Sequence, residues 1–284
     1  MTLTTPSETE PDSARPIPPT LADRYAGVLL GLACGDALGG AVEFCSRAQI
    51  AAAHPDGLRD FVGGGWLHLV PGENTDDTQS TIALAESFAA SPELAMDDFA
   101  RRLLVWMRTD PKDIGTLTRV ALNNLAEGQP WQEAGERALR SRGEGSAAGN
   151  GSVMRCAPVA LRHRHDTAAL RRASIDSSRI THADRRCTWA SVAVNQAIVA
   201  LLGGGSAADA LSAAMIGIED PATLAVLGTV PTLHRDSLRA GGYVLHTLAA
   251  AFWCLLNHDS LEETIVAAVA LGEDTDTTAA VAGA

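Results

Sequence analysis

The sequence predicts an all-α protein, a compact single-domain helical bundle. Hydrophobic residues make up 46% of the 284 residues but aromatic residues only 4%, and an alanine-rich, aromatic-poor core favours helices. Between residues 243 and 256 the apolar residues recur at helical spacing and form one stripe, which contains Val244, Leu248, Ala251, Phe252 and Leu255. No 20- to 50-residue repeat and no linker divides the chain, so we expect one domain over residues 20–284.

Helical segments follow one another along most of this domain. The first is apolar and rich in small residues, and it ends at glycines (LADRYAGVLLGLACGDALG, 21–39). Helices are also predicted at about 96–107, 115–127, 166–177, 183–203, 206–217 and 243–256. The run FVGGGWLHLVPGE at 61–73 predicts a loop or short hairpin, and residues 1–19, rich in Pro, Ser, Thr and Glu, predict a disordered tail.

Composition excludes several classes of function. A formal net charge of -12 disfavours a nucleic-acid partner, because the phosphate backbone attracts basic proteins. Five scattered cysteines without a C-x-x-C pair are typical of a reducing compartment. No apolar stretch approaches the roughly 20 residues that span a bilayer, and the N-terminus lacks the apolar core of a signal peptide. We therefore expect a cytoplasmic protein with neither a nucleic-acid nor a membrane partner.

The stretch NTDDTQST (74–81) places Thr75, Asp76 and Asp77 immediately before an apolar run. Asp and Thr are favoured in the first turn of a helix, where they satisfy unpaired N–H groups and complement the helix dipole. Helix capping is therefore one explanation. The other is a metal site, and this stretch alone does not decide between them.

A second acidic, threonine-rich cluster opens the helix predicted in GEDTDTTAAVAGA (272–284). Asp274 and Asp276 would point to nearly opposite sides of a regular helix, so they converge only if Asp274 precedes the helix. Two such clusters, far apart in the chain, look like two halves of one site. Carboxylates and hydroxyls suit Mg²⁺, Mn²⁺ or Ca²⁺ rather than zinc. Four converging carboxylates repel one another without metal, and a pair of divalent ions fits their charge better than one.

Six motifs together resemble the ADP-ribosylglycohydrolase family. In family order they are GLACGDALGGAVEF (31–44), PGENTDDTQST (71–81), DIGTLT (113–118), GNGSVMRCAPVAL (149–161), THADRRC (181–187) and GEDTDTTAAVAGA (272–284). Any one of them is a weak pattern, whereas six in sequence make a specific signature. The resemblance implies a compact all-α fold with a binuclear Mg²⁺ or Mn²⁺ centre at the bottom of a cleft.

The resemblance also implies roles for individual residues. The metal ligands would be Thr75, Asp76, Asp77, Asp274, Asp276 and Thr277. The catalytic residues would be Glu43, Asp274 and Asp77, with Glu43 on a loop that can gate the site. The alternative for Glu43 is a solvent-facing glutamate after a helix. Asp36 is expected to hold the surrounding loops by hydrogen bonds, rather than simply to end its helix.

The ADP-ribose ligand would be bound by Gly115, Gly149, Asn150, Gly151 and His182. The alternative for the GNG sequence is a plain turn whose residues tolerate positive φ, and a lone histidine is often structural. A backbone without a Cβ atom at Gly115 would allow close approach of the diphosphate. Arg155 is expected to be a buried structural arginine rather than a phosphate partner.

The function implied by the resemblance is metal-dependent hydrolysis of the glycosidic bond between ADP-ribose and a protein side chain, with arginine as the first choice, which releases ADP-ribose. A small ADP-ribose conjugate is an alternative substrate. Two other functions stay open: a catalytically silent ADP-ribose- or nucleotide-binding protein, and a metal-dependent hydrolase of nucleotide diphosphates. In two respects the chain departs from relatives. Ala147 and Ala148 stand where some place an adenine-stacking aromatic residue, and relatives usually continue beyond the last motif with another helix or two.

Overall fold

The computed structural model describes residues 19–90, 95–142 and 148–284, so the predicted tail over residues 1–19 lies outside the described residues except for Pro19. Within those ranges there are fourteen α-helices and no β-strand, which confirms the all-α prediction. The helices are α1 Leu21–Gly39, α2 Arg47–Ala53, α3 Asp76–Ala90, α4 Ala95–Met107, α5 Thr116–Ala126, α6 Trp131–Arg142, α7 Ala157–His163, α8 Thr167–Arg179, α9 Arg185–Leu202, α10 Ala207–Met215, α11 Pro221–Thr229, α12 Val244–Asn257, α13 Leu261–Val269 and α14 Thr275–Gly283.

Side-chain caps fix where several of these helices begin. Thr20 accepts a hydrogen bond from the Asp23 backbone amide, and the Asp23 carboxylate accepts one from the Thr20 amide, so the pair forms a capping box at the start of α1. Ser206 and Asp209 form the same arrangement before α10. These polar residues therefore set helix boundaries that hydrophobic periodicity alone leaves uncertain.

The packing of α1 against α14 depends on a row of small residues. Gly31, Gly35 and Gly39 lie one turn apart on α1, and a Cβ atom added at any of them would overlap a backbone carbonyl of the Thr275–Gly283 helix. The two helices therefore touch backbone to backbone, which only glycine allows. The Thr275 hydroxyl donates to the Gly39 carbonyl oxygen at 2.7 Å and fixes the register of the contact. This contact brings the last sequence motif beside the first.

We expect Gly35→Ala to lower the free energy of unfolding by about 3 kcal/mol, the upper range for overpacking a tight core. The added methyl group would meet the Ala279 carbonyl, which belongs to the helix backbone and has little freedom to move. Urea unfolding followed by circular dichroism measures the change. Gly27→Ala is the matched control, since it lies on the same helix with nothing within 4 Å of an added Cβ. It should stabilise by about 0.5–1 kcal/mol, and an equal loss in both variants would contradict the close-contact explanation.

One helical segment corrects an expectation from the sequence. Leu21–Val42, which joins α1 to the 3-10 turn that follows it, is long and apolar enough to cross a membrane by length and composition, although no such stretch was expected. In the structure 61% of its most apolar window is buried inside the protein. Val28 and Leu32, for example, belong to the largest hydrophobic cluster. Packing within the fold thus accounts for most of the apolar residues of this segment, although Leu30 is 63% exposed.

The predicted loop or short hairpin at 61–73 is a loop closed by a pair of backbone hydrogen bonds. The Gly64 amide donates to the Leu69 carbonyl at 2.7 Å, and the Leu69 amide donates to the Gly64 carbonyl at 2.8 Å. Gly65 has φ of 67° and lies against the carbonyls of the turn that ends α1. The only lysine of the chain, Lys112, bonds to Glu73 at 2.7 Å and so joins this loop to the segment before α5.

Candidate active site

A cleft of about 280 Å³ collects most of the residues that the motifs single out. This volume is close to the lower end of the range for small-molecule sites, about 300 Å³. Of the predicted site residues the lining includes Glu43, Asp76, Gly115, Gly149, Asn150, Gly151, His182, Asp274, Asp276 and Thr277. Thr75 and Asp77 lie immediately behind this lining, and both are buried. The structure thus brings every predicted site residue to one place, while their roles stay predictions.

Asp36 organises the N-terminus of α3. Its carboxylate accepts hydrogen bonds from the backbone amide and the hydroxyl of Thr75, and from the amide and hydroxyl of Thr78. A residue of α1 therefore caps α3, as expected for Asp36 from the sequence. Because Asp36 already satisfies the Thr78 amide in the first turn of α3, that amide needs no cap from Asp76 or Asp77, which weighs against the capping explanation of this motif.

Asp77 connects the two acidic clusters. Its Oδ2 atom accepts from the hydroxyls of Thr75 at 3.3 Å and Thr277 at 3.4 Å, although Asp77 and Thr277 are 200 residues apart in the chain. Its Oδ1 atom is buried and has no hydrogen-bond partner among the described residues. An unsatisfied buried carboxylate oxygen is rare in folded proteins, and a cation would satisfy it.

Asp274 takes the position that its motif predicts. It precedes α14 with φ of -92° and ψ of 77°, outside the helical range, and makes no side-chain cap bond. Its Oδ2 atom accepts from the Asn150 amide group at 3.0 Å, and its carboxyl is within hydrogen-bonding reach of Asp276. The non-helical backbone at Asp274 therefore lets these two side chains converge, which a regular helix would prevent.

Burial governs the electrostatics of this cluster. It raises the pKa values of Asp76, Asp77 and Asp276 well above the usual range, and the neighbouring carboxylates raise them further. For Asp76 a hydrogen bond from the Gly115 amide acts in the opposite direction. Such a set of hard oxygen donors, short of compensating positive charge, fits a divalent cation well.

Arg155 supplies a nearby positive charge but is held by other groups. Its guanidinium donates to the Gly151 carbonyl at 2.7 Å and to the Thr181 hydroxyl at 2.6 Å, and it lies 5.4 Å from the centre of the Phe99 ring. Burial lowers its pKa to about 10, an effect that Asp76 partly offsets. Arg155 therefore has a structural position, as predicted, beneath the turn at 149–151.

Glu43 is buried at the edge of the cleft and is not the solvent-facing glutamate of the alternative interpretation. Its Oε2 atom accepts from the Trp66 indole N–H at 2.6 Å. Burial raises the pKa of Glu43 to about 8 against the effect of this bond, and Asp113, Asp274 and Asp76 raise it further. One carboxylate oxygen each from Glu43, Asp113 and Asp276 lies within 4.8 Å of the others, a spacing at which one ion could contact all three.

Asp113 is the acidic residue that sequence reasoning missed. Burial raises its pKa, and Asp274 adds to this effect. It lines the cleft together with Gly115, two residues further along. Asp113 could have been identified from the sequence, because it is the first residue of the DIGTLT motif, from which only Gly115 was predicted to bind the ligand.

The segment around Glu43 is tied to the loop that leads to Asp274. The Phe44 amide donates to the Glu273 carbonyl at 2.6 Å, and the Glu273 amide donates to the Cys45 carbonyl at 2.8 Å. Phe44 and Glu273 both have positive φ, 63° and 64°, which is uncommon for residues other than glycine. These bonds fix Glu43 relative to Asp274, so any gating motion of Glu43 would have to break them or carry both loops along.

The GNG turn packs against His182. Gly149, Asn150 and Gly151 form a turn without positive φ, so tolerance of positive φ does not explain the choice of glycine here. Cβ atoms at Gly149 and Gly151 would instead lie 3.3 and 2.8 Å from the imidazole ring. The Asn150 side chain donates both to Thr247 at 2.9 Å and to Asp274 at 3.0 Å. The turn therefore links the imidazole to the acidic cluster.

His182 and Gly115 complete the predicted ligand-binding set. Burial lowers the pKa of His182 to about 3, with a further contribution from Arg155, so the ring is neutral. Its Nδ1 atom lies 2.7 Å from the Thr181 hydroxyl. A Cβ atom at Gly115 would meet only the Thr118 hydroxyl at 3.7 Å, so the protein itself leaves room for a side chain there. Of the two alanines before the turn, Ala148 is buried in the core, and Ala147 lies outside the described residues.

Comparison with known proteins identifies the class that this fold and cleft define. Residues 17–284 match the model of the ADP-ribosylglycohydrolase family, and the chain belongs to that family. It is 34% identical to ADP-ribosylarginine hydrolase Tri1 of Pseudomonas putida (strain GB-1), over 94% of this chain and 70% of the relative. It is 32% identical to the ADP-ribosyl-[dinitrogen reductase] glycohydrolase of Rhodospirillum rubrum, over 93% of this chain and 85% of the relative.

A solved structure has the same fold. The structure of an ADP-ribosylglycohydrolase-related protein complex superimposes with a TM-score of 0.75 at 32% identity, and covers 93% of this chain and 86% of the other. The resemblance seen in the six motifs is thus confirmed at the level of the family and of the fold.

Proposed function

We propose that this protein hydrolyses the glycosidic bond between ADP-ribose and a protein side chain and releases ADP-ribose. One observation carries the proposal: carboxylates from four distant segments converge on the cleft that holds the GNG turn and His182. These carboxylates belong to Glu43, Asp76, Asp77, Asp113, Asp274 and Asp276. Family membership supports it, because relatives are ADP-ribosyl hydrolases by name.

We further propose that two Mg²⁺ or Mn²⁺ ions belong to the site. The unpartnered Oδ1 atom of Asp77 and the all-oxygen donor set support this assignment. The ligands would be Thr75, Asp76, Asp77, Asp274, Asp276 and Thr277, and the position of Asp113 makes it a further candidate. When bound, the ions would neutralise the carboxylates and orient the ribose hydroxyls near the reacting carbon.

We expect two divalent ions per chain after the purified protein is loaded with Mg²⁺ or Mn²⁺ and freed of excess metal. The four aspartates among the proposed ligands, Asp76, Asp77, Asp274 and Asp276, carry up to four negative charges, which two divalent ions balance and one does not. Elemental analysis by mass spectrometry measures the ratio. Stoichiometric zinc, or no divalent ion under any loading condition, would contradict the assignment.

The residues of the cleft would then have different roles in the reaction. Glu43 or Asp274 would orient a water molecule and remove its proton, since both are buried carboxylates at the cleft. Gly115, Gly149, Asn150, Gly151 and His182 would hold the ADP-ribose. Asp77 would act through the metal site. The neutral imidazole of His182 suits contact with a ligand by hydrogen bonding rather than by charge.

Arginine is the proposed attachment residue of the substrate. The support comes from the two ADP-ribosylarginine hydrolases among the relatives, of Pseudomonas putida and, at 33% identity, of Serratia proteamaculans (strain 568). A small ADP-ribosyl-arginine conjugate and an ADP-ribosylated protein are therefore both suitable substrates for assay.

Product analysis on a protein ADP-ribosylated at arginine tests the function. The proposal expects free ADP-ribose and an unmodified protein. No product together with tight ADP-ribose binding would indicate a silent binding protein, and release of AMP would indicate attack on the diphosphate. Liquid chromatography coupled to mass spectrometry distinguishes the three results.

The chain also supports a proposal about organisation and location. We propose one domain over residues 20–284, because helices near both limits pack together, α1 against α14. All five cysteines lie in the described ranges and are free, which supports a reducing compartment such as the cytoplasm.

A further inference from the structure

An exposed pair of aromatic rings stands at the mouth of the cleft. Phe44 is 65% exposed and Trp66 is 49% exposed, and their ring centres are 5.4 Å apart with planes inclined at 40°. All twelve aromatic residues of the chain lie in the described ranges, and only Phe44, Phe61 and Trp66 are largely exposed. In a chain with so few aromatic residues, exposed rings beside a cleft need an explanation.

The backbone at Phe44 has an uncommon and strained conformation. Phe44 has φ of 63°, a conformation that an L-residue with a bulky side chain seldom adopts. The bonds between the backbones of Phe44, Cys45 and Glu273 maintain it. A glycine or asparagine would take this conformation more readily, so a phenylalanine here has a conformational cost that its ring does not offset by burial.

Trp66 is held just as firmly. Its indole N–H is bonded to Glu43, and its loop is closed by the Gly64–Leu69 hydrogen bonds. Both rings are therefore preorganised before any partner arrives, which reduces the entropy lost on binding. Aromatic residues are also enriched among those that dominate protein–protein affinity.

The position of the rings indicates what they would contact. Phe44 lines the cleft directly after Glu43, and Glu43 lies among the carboxylates where the glycosidic bond would be broken. With ADP-ribose in the cleft and the glycosidic bond at the carboxylates, the attached side chain and its polypeptide would leave the cleft beside Glu43 and Phe44. We propose that Phe44 and Trp66 form a docking surface for the polypeptide next to the modified residue, so that protein conjugates are preferred over small ones. This inference rests on the proposed function and adds the kind of partner.

The test compares two substrates that share the scissile bond. One is a short synthetic peptide with a single ADP-ribosylated arginine flanked by leucine and valine, and the other is ADP-ribosyl-agmatine, which has a guanidinium but no polypeptide. Phe44→Asn removes the ring and accepts the positive φ. It should lower kcat/KM for the peptide about tenfold more than for the agmatine conjugate. A tenfold loss is typical when a residue that contributes substantially to an interface is truncated.

Two further variants make the result decisive. Phe44→Gly also accepts the φ value and should show the same selective loss on the peptide. If Phe44→Asn fails to fold, Phe44→Gly therefore still tests the proposal. Ile216→Asn is the matched control, because Ile216 is 64% exposed at the end of α10, outside the cleft lining, and should leave the ratio of the two substrates at the wild-type value.

The outcomes separate this inference from the proposed function. An equal loss on both substrates, or no loss on the peptide, would overturn the docking surface while leaving the hydrolase activity established. Wild-type protein that releases ADP-ribose from neither substrate would overturn the proposed function and the docking surface together.

Discussion

Replacing Asp77 or Asp276 by alanine is expected to lower turnover by orders of magnitude at low metal concentration. Each change removes one negative ligand from a site proposed to bind two divalent ions, so metal affinity should fall. The metal-free variants should be at least as stable as the wild type, because each loses a buried carboxylate that repels its neighbours. For Asp77 the change also removes the oxygen that has no partner.

Activity at graded Mn²⁺ concentrations and thermal unfolding with and without Mn²⁺ measure both effects. Wild-type protein should gain stability on metal addition, since the ions bind the folded state, and the variants should gain much less. Asp259→Ala, at an exposed position before α13, is the control and should behave as wild type. Near-normal turnover of either variant at low metal would show that the ligands have been assigned to the wrong residues.

Glu43→Gln is expected to reduce turnover by roughly 10²- to 10⁴-fold, the usual scale for loss of general acid–base help. Glutamine keeps the size of the side chain and an oxygen that can accept the Trp66 hydrogen bond. It removes the charge and the ability to take a proton. Binding of metal and ADP-ribose should therefore persist.

Calorimetric titration with ADP-ribose, beside release of ADP-ribose from ADP-ribosyl-arginine, separates binding from turnover. Glu219→Gln, a surface change at a side chain 66% exposed, is the control. Full activity of Glu43→Gln would give Glu43 a structural role only. Loss of both metal and ADP-ribose binding would make it a metal ligand.

Much of the fold could be predicted because its longer helices carry a clear period. The segments predicted at 183–203 and 243–256 match Arg185–Leu202 and Val244–Asn257 within two residues at each end. The sequence did not predict five helices: Arg47–Ala53, Trp131–Arg142, Ala157–His163, Pro221–Thr229 and Leu261–Val269. Arg47–Ala53 and Ala157–His163 have seven residues each, about two turns, which is too short for a hydrophobic period to be recognised. Trp131–Arg142 has twelve residues, so shortness does not explain why it was missed.

The two acidic halves of the site were predictable because their motifs are local. The groups that organise them were less so. Asp113 lies in the DIGTLT motif, in which Gly115 is the residue with the more specific signal. Trp66 reaches Glu43 only because a glycine-rich loop folds back onto the end of α1. The positive φ values at Phe44 and Glu273 have no sequence signal, since neither residue favours them.

The glycine contact between α1 and α14 has a consequence for the order of events during folding. Asp77 and Thr277 are separated by 200 residues, and bringing them together costs loop-closure entropy, so we expect their contact to form late in folding. A nascent chain still lacking its last motif would hold only one half of the site. Metal would then bind only after α14 has packed against α1. Metal binding would therefore slow unfolding far more than it would speed folding.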